Sequence, residues 1–304
     1  MNDISIIILN YNSSDFTIKC VESIIKHTAV SIKYDIIIVD NNSRIEEYDK
    51  IVYLDNAVNI KLIRSNVNLG FGGGNTLGYE YSNSKYIFFL NNDCELVNDN
   101  ISILYNFMER NPNVALCSGQ MYSPEMKLMK SVNYIPTLSL KLLGNSTLRY
   151  FKPEKYPSTK KEYFSPIKVE SLAGASMFFR TEHFTNIGGF DLDYFLYCEE
   201  EDLAQELSKK DYDTYLVPEA KYIHHLSKST ELNYKSEREF FISLMHFFRK
   251  HNNILIYNLL KLFYFIKLLR KFYKSTKYIK LAFFVIAGAS QKHSLRHEQT
   301  INKG

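Results

Sequence analysis

Tyr34-Asp35-Ile36-Ile37-Ile38-Val39-Asp40-Asn41-Asn42-Ser43 turns within one short segment from β-branched and apolar to wholly polar. An uninterrupted apolar run of this kind is what a strand covered on both faces requires, and parallel sheets are where such strands occur. The pattern repeats along the first hundred residues. Ser5-Ile6-Ile7-Ile8-Leu9 runs into Asn10-Tyr11-Asn12, and Lys85-Tyr86-Ile87-Phe88-Phe89-Leu90 runs into Asn91-Asn92-Asp93. The shorter Ile60-Lys61-Leu62-Ile63 leads to Asn66, Asn68 and a glycine run. Between the first two strands, Ser13-Ser14-Asp15 can cap a helix that keeps Phe16, Cys20, Val21, Ile24 and Ile25 on one face. This alternation predicts a right-handed, doubly wound α/β domain.

Further along, a helix is expected over Asn98 to Glu109, stopped by Asn111-Pro112, and a fifth strand over Val114 to Ser118. From Met126 to Lys168 the periodicity fails around Pro136, Pro153, Pro157 and Pro166, and the segment reads as a long excursion, a substrate loop. Order returns over Val169 to Phe179, which contains Ala173-Gly174-Ala175, and passes through the turn Gly188-Gly189-Phe190. A helix from about Glu200 to Lys209 and a strand near Tyr215 to Pro218 then close the domain. The chain thus divides into an α/β domain, 1–230, and a helical segment, 231–304.

At 304 residues, 45% hydrophobic and 23% charged, the chain can bury a full core and is too apolar for disorder. Cys20, Cys94, Cys117 and Cys198 lie far apart without a CxxC pair, which argues against a zinc site and a disulfide framework and for a reducing cytosol. The start, Met1-Asn2-Asp3 and then Ile4 to Leu9, lacks the basic flank of a signal peptide, so the expected location is the cytoplasmic side. No run reaches the length of a membrane span. The net charge of +4 conceals an asymmetry: Phe240 to His297 carries eleven Lys or Arg and no Asp or Glu, leaving 26 basic against 33 acidic residues elsewhere. In Ile254 to Lys274, Asn258, Lys261, Tyr264, Lys267, Arg270, Lys271 and Lys274 recur at helical spacing, opposite Leu255, Leu259, Leu262, Phe263, Ile266 and Leu269. Such a basic amphipathic helix either packs on the domain with a solvated basic face or lies in an anionic membrane surface. The expected anionic partner is the membrane and not nucleic acid.

Ligands of open α/β sheets bind beyond the carboxyl ends of the strands, where the asparagine-rich endings converge. Asp40 could accept hydrogen bonds from a base or ribose and Tyr11 could pack on a base, though Asp40-Asn41 is also ordinary turn chemistry. Gly70-Phe71-Gly72-Gly73-Gly74-Asn75 offers backbone amides to a phosphate at a helix N-terminus, or simply a tight bend. Asp93 could hold a divalent cation against a diphosphate, or cap a helix. A dinucleotide oxidoreductase is excluded by position, because the glycines follow the third strand, and no Walker A lysine motif is present. In Glu199-Glu200-Glu201-Asp202 a helix N-terminus accounts for one or two carboxylates, and a general base for another. His224-His225, followed by Ser227 and Ser229, could complete a metal site with Asp93.

The ordered set Ile8-Leu9-Asn10-Tyr11-Asn12, Val39-Asp40-Asn41-Asn42-Ser43, Asn68 through Asn75, Leu90-Asn91-Asn92-Asp93, Gly188-Gly189-Phe190-Asp191 and Glu199-Glu200-Glu201-Asp202-Leu203 resembles bacterial family 2 glycosyltransferases, most closely the rhamnosyltransferase-like branch of surface-polysaccharide assembly. The resemblance covers residues 3 to 230. It implies the GT-A fold, a Rossmann-like nucleotide-diphospho-sugar transferase fold, with a helical basic C-terminal segment. It further implies that Asn10, Asn12, Asp40 and Asn68 hold the nucleotide sugar, together with Tyr11, Asn42, Gly70, Gly74, Asn75 and Asn92 of the same motifs. Asn91-Asn92-Asp93 stands in the place of the D-x-D motif, with Asp93 and His224 as ligands of Mg²⁺ or Mn²⁺ and Asn91 in place of the first carboxylate. Ala173, Gly174 and Ala175 fall on the acceptor side, and Glu200 where the catalytic base lies, with Glu199 and Asp202 as alternatives.

The implied activity is inverting transfer of rhamnose from dTDP-rhamnose, or of a hexose from a UDP-sugar, to a lipid-linked saccharide in O-antigen or capsule assembly. The protein would sit peripherally on the cytoplasmic face of the inner membrane. Rival readings are a catalytically inert scaffold or glycan-binding protein, which would need Asp93 or the acidic cluster to be idle, and a nucleotidyltransferase, which would release pyrophosphate.

Overall fold

A computed structural model describes residues 2–226 and 233–299. The apolar runs form β1 (Asn2–Asn10), β2 (Tyr34–Asp40), β3 (Ile60–Arg64) and β4 (Ser84–Asn91), paired in parallel in the order β3-β2-β1-β4. Period-two alternation divides their side chains between two cores. Ile6 and Ile8 face α1 (Ser14–His27), while Ile7 and Val39 join the cluster on the other face, beneath α3 (Gly70–Glu80). A short α2 (Ile45–Tyr48) follows β2.

Beyond β4 the sheet is mixed. The short β5 (Cys94–Leu96) is followed by α4 (Asn100–Arg110), whose N-terminus is capped by the Asp99 side chain accepting from the Ser102 amide. β6 (Val114–Tyr122) is buried throughout. The excursion is not structureless: it contains β7 (Val132–Asn133), α5 (Leu138–Leu143), α6 (Asn145–Phe151) and β8 (Ile167–Lys168). The stretch expected as one apolar run is broken at Ala173-Gly174-Ala175 into β9 (Ser171–Leu172) and β10 (Ser176–Arg180). β10 inserts antiparallel between β4 and β6, and α7 (Thr181–Asn186) follows it.

After α8 (Glu199–Lys209), β11 (Asp213–His224) pairs in parallel with β6 and antiparallel with β5. It runs past the strand end expected at Pro218 because the register shifts between Val217 and Lys221, leaving the proline outside the ladder. That bulge carries His224 to a position opposite Cys94.

The expected boundary at 230, with Ser227 and Ser229, lies outside the described residues. The helices beyond are α9 (Tyr234–His251), α10 (Ile254–Leu269) and α11 (Lys277–Ile286), and none is long and apolar enough to cross a membrane. They share a third core with Ile135, Tyr194, Cys198 and Ala204 of the α/β body. The packing edge of α10 is Leu260, Tyr264 and Leu268. Tyr264, assigned from spacing to the polar side, is therefore a core residue, while on the leucine-rich side Leu255, Leu259, Leu262 and Ile266 are exposed and Phe263 and Leu269 are partly buried against the third core.

Candidate active site

The strand ends converge as expected, but many of the polar residues there face inward. Asn10 is fully buried: its amide donates to Asp40 Oδ1 (2.9 Å), Ser14 Oγ and Ser43 Oγ (both 3.2 Å), and its carbonyl accepts from Thr17 (2.8 Å). Asp40 is equally buried, its other oxygen taking the Ser43 amide at 3.2 Å and lying 3.5 Å from Arg64 Nε. Asn92 donates to Ser13 Oγ (2.7 Å) and Thr17 Oγ1 (3.0 Å), tying the end of β4 to the start of α1. Asn75 donates back to the Phe71 carbonyl within α3. These four, named from the sequence as donor residues, brace the loops here, because each buried polar group has found a protein partner.

The start of the glycine run is hydrogen-bonded to the protein in the same way. The Leu69 amide donates to Asn41 Oδ1 (2.8 Å), Gly70 to Asn68 Oδ1 (2.9 Å) and Phe71 to the Phe195 carbonyl (3.0 Å), so these amides at the start of α3 are already occupied. Gly70 has φ +77°, and a Cβ there would stand 2.2 Å from the Phe195 carbonyl oxygen; a Cβ on Gly74 would meet Leu9 at 2.3 Å. Gly70 and Gly74 thus permit close packing of α3. What remains at the rim is Tyr11, which is exposed, with Asn12, Asn42 and Asn68 partly so. Asn12 and Asn42 adopt left-handed backbone, φ 53° and 68°, a conformation asparagine tolerates.

The acidic cluster is sorted by the entry into α8. Tyr197 and Cys198 both have positive φ, 75° and 68°, and this turn delivers Glu199, Glu200 and Glu201 to the helix N-terminus. Glu199 is 3% exposed and lies against Gly72, with Oε1 unpartnered among the described residues. Asp202 is also buried and accepts from Tyr194 (3.0 Å), Lys250 (2.8 Å) and His251 (2.6 Å). Burial alone would raise its pKa, but the hydrogen bonds from His251 and Lys250 outweigh that and hold it low. The carboxylates of both alternatives to Glu200 are thus buried in the protein.

Glu200 keeps a partly exposed side chain that faces Gly174, where a Cβ would stand 3.4–3.5 Å from the carboxylate. Burial raises its pKa; its own amide, Lys130 and the Gly174 amide pull in the opposite sense without cancelling the rise. Glu201 is raised too, by burial and by Glu200. Ala173 and Ala175 fix Gly174 in place: the Ala173 amide donates to the Ser131 carbonyl, and the Ala175 carbonyl accepts from the Asn91 amide at 2.9 Å. Ala173-Gly174-Ala175 is therefore hydrogen-bonded directly to the residue that opens the Asn91-Asn92-Asp93 turn.

Asp93 Oδ1 lies 3.0 Å from His224 Nε2, and beside this pair His225 Nε2 lies 2.7 Å from Glu95. Asp93, Cys94 and His224 group closely enough to hold an ion, but the Cys94 thiol donates to the Ala175 carbonyl and burial pushes its pKa well up, so Asp93 and His224 are the two side chains of the group that could hold one. A carboxylate and an imidazole aimed at one point fit a divalent cation that draws its other ligands from phosphate and water. Sequence reading missed Asn41, whose side chain donates to Asn68 and the Gly70 carbonyl, and Arg64, which braces Asp40. It also missed Lys130 and Lys141 of the excursion, which act electrostatically on Glu200 and Glu201.

Parallel strands ending in a polar crevice, an antiparallel insertion beside it and a reachable carboxylate over a side-chain-free backbone define a nucleotide-sugar transferase of the GT-A class. The glycosyl transferase family 2 profile matches residues 5–185, and the chain belongs to that family. It is a glycosyltransferase. It is 27% identical over 235 residues to the rhamnosyltransferase WbbL of Escherichia coli (strain K12), covering 72% of this chain and 82% of that one. It is 26% identical over 187 residues to the N-acetylglucosaminyl-diphospho-decaprenol L-rhamnosyltransferase of Mycobacterium tuberculosis (strain CDC 1551 / Oshkosh), covering 57% of this chain and 61% of that protein. The structure superposes on the mannosyltransferase PcManGT from Pyrobaculum calidifontis, solved with GDP-Man and Mn²⁺, with a TM-score of 0.57 at 13% identity, over 82% of this chain and 66% of that chain.

Proposed function

We propose that the chain moves rhamnose from dTDP-rhamnose, or a hexose from a UDP-sugar, onto a lipid-linked saccharide with inversion, in the assembly of a surface polysaccharide. The names of the Escherichia coli and mycobacterial relatives support rhamnose as the sugar and a diphospho-polyprenol-linked saccharide as the acceptor. The observation that carries the reading is Glu200: of the partly exposed carboxylates in its cluster, it is the one faced by Gly174, which leaves room for an acceptor hydroxyl, and its pKa is raised.

Glu200 takes the proton from that hydroxyl as its oxygen attacks the anomeric carbon and the nucleoside diphosphate departs. Tyr11 packs on the base, and Asn12, Asn42 and Asn68 line the donor rim, held in place by Asp40 and Asn10 below. Asp93 and His224 would hold Mg²⁺ or Mn²⁺, which when bound neutralises the charge of the leaving diphosphate.

The test is thermal stabilisation by dTDP-sugars and UDP-sugars with and without Mn²⁺, followed by turnover. One nucleotide-sugar class should stabilise the wild type with Mn²⁺ and lose that effect in Asp93→Ala. Glu200→Gln should bind the donor yet lose about 10²–10⁴-fold in turnover. Near-wild-type turnover in Glu200→Gln would remove the base assignment, and no shift with any nucleotide sugar would remove the donor site.

A further inference from the structure

Helix α10 carries two apolar stripes. One, Leu260, Tyr264 and Leu268, packs into the core shared with α9 and α11. The other, Leu255, Leu259, Leu262 and Ile266, follows the i, i+4, i+7, i+11 spacing of a single helix face and is 65, 45, 48 and 49% exposed. Water-facing leucines scattered singly are ordinary on a protein surface, but a continuous stripe marks a surface that something covers. The stripe also has apolar neighbours. α5 touches α10 and ends in Leu142 and Leu143, 53 and 56% exposed, while Phe272 and Tyr273 extend the exposed apolar surface beyond the C-terminus of α10.

Charge identifies the occupant. From Ile254 to Arg296 there are nine Lys or Arg and no Asp or Glu, and Met126 to Pro153, which contains α5 and α6, has five Lys or Arg and again no acid. Lys141 of α5 and Lys267 of α10 are close enough for the one to lower the pKa of the other, below the larger effect of burial on Lys141. A second copy of the chain docked symmetrically on this stripe would bring these lysines against their own equivalents, an unfavourable arrangement. An anionic bilayer offers both counterparts at once, acyl chains for the leucines and headgroup phosphates for the lysines.

We propose that the outward stripe of α10, flanked by the basic residues of α10, seats the protein in the interface of an anionic lipid bilayer. The packing edge of α10 reaches, through the third core, Tyr194 and Cys198 at the entry to α8, so a seated α10 fixes the height of Glu200 above the lipid headgroups. Seating is independent of sugar transfer, and donor-induced thermal stabilisation reports on the transfer reading separately.

The test is flotation of the full chain with vesicles of phosphatidylcholine alone and with added phosphatidylglycerol, at about 0.1 M salt where the Debye length is about 10 Å. The wild type should float with the anionic vesicles and not with the neutral ones. Leu259→Asp/Leu262→Asp should lose at least tenfold in bound fraction while keeping its Tm, because both side chains already face water. Leu255→Asp/Ile266→Asp should behave alike, and Val30→Asp, on an exposed turn away from α10, should float as the wild type does. The proposal is overturned if the leucine variants float like the wild type or if the wild type ignores anionic vesicles. It is equally overturned if sedimentation shows a wild-type dimer that Leu259→Asp/Leu262→Asp converts to a monomer.

Discussion

The four carboxylates in the first turn of α8, Glu199, Glu200, Glu201 and Asp202, differ in their surroundings, and that difference bears on their chemistry. Glu199 is packed against Gly72, Asp202 is held by Lys250 and His251, and only Glu200 meets a gap left by a missing side chain. A base must be deprotonated to act, and burial displaces the Glu200 pKa upward. The acid limb of kcat/KM should therefore lie above the ordinary glutamate value of about 4.3. A rate profile against pH, with a donor whose own ionisation is complete, checks this; a limb at or below that value would assign the base elsewhere. Residue type at a strand end told little about direction. Asn10, Asp40, Asn75 and Asn92 are as polar as the exposed Tyr11, yet they bond inward, and even the partly exposed Asn12 accepts the Arg44 amide through Oδ1 (2.9 Å), because a polar residue at a strand end is equally suited to brace a loop or to face a ligand. The surroundings of Asp202 were not legible for a related reason: its partners, Lys250 and His251, come from a helix almost fifty residues downstream.

Among the elements, the parallel half of the sheet was legible because a strand buried on both faces is almost the only structure that suits a short apolar run with an abrupt polar end. The antiparallel placement of β10 was not, since a strand buried on both faces carries no mark of direction. Nor were α5 and α6, too short for helical periodicity to stand out among prolines. α10 was legible as a helix but not in orientation, because it has two apolar stripes and pattern alone cannot say which one is covered. The glycines of α3 give an element-scale prediction. At Gly70 a side chain would meet both a left-handed backbone and the Phe195 carbonyl. Gly70→Ala should cost about 2–4 kcal/mol, combining conformational strain with overpacking. Urea unfolding followed by circular dichroism measures this, and a variant as stable as the wild type would show that α3 does not need that close approach.

At the scale of the molecule, the join between the α/β body and the C-terminal helices is apolar in the third core and ionic at its edge. Lys250 of α9 bridges Asp191 and Asp202, at 2.8 Å from each, and His246 and His251 of the same helix lie 3.2 and 2.6 Å from those carboxylates. The pKa of Asp191 is held far below its usual range by His246 and Lys250 against opposing burial, and that of Asp202 is lowered in the same sense. A carboxylate whose folded pKa lies below its unfolded value of about 3.9 stabilises fully above that value and loses its contribution as pH falls toward the folded one. Lys250→Met removes the bridge, so it should destabilise at neutral pH by about 1–3 kcal/mol, less than a fully buried pair because Lys250 is partly exposed. As the pH falls from about 5 toward 2, the unfolded chain takes up protons that these carboxylates resist in the folded wild type, so the wild type loses stability faster than Lys250→Met and the gap between the two curves should narrow. Urea midpoints across that range, followed by tyrosine fluorescence because the chain has 23 Tyr and no Trp, provide the reading. A gap that stays constant on acidification would mean that Lys250 acts through its methylene packing, and that the apolar core alone joins the two parts.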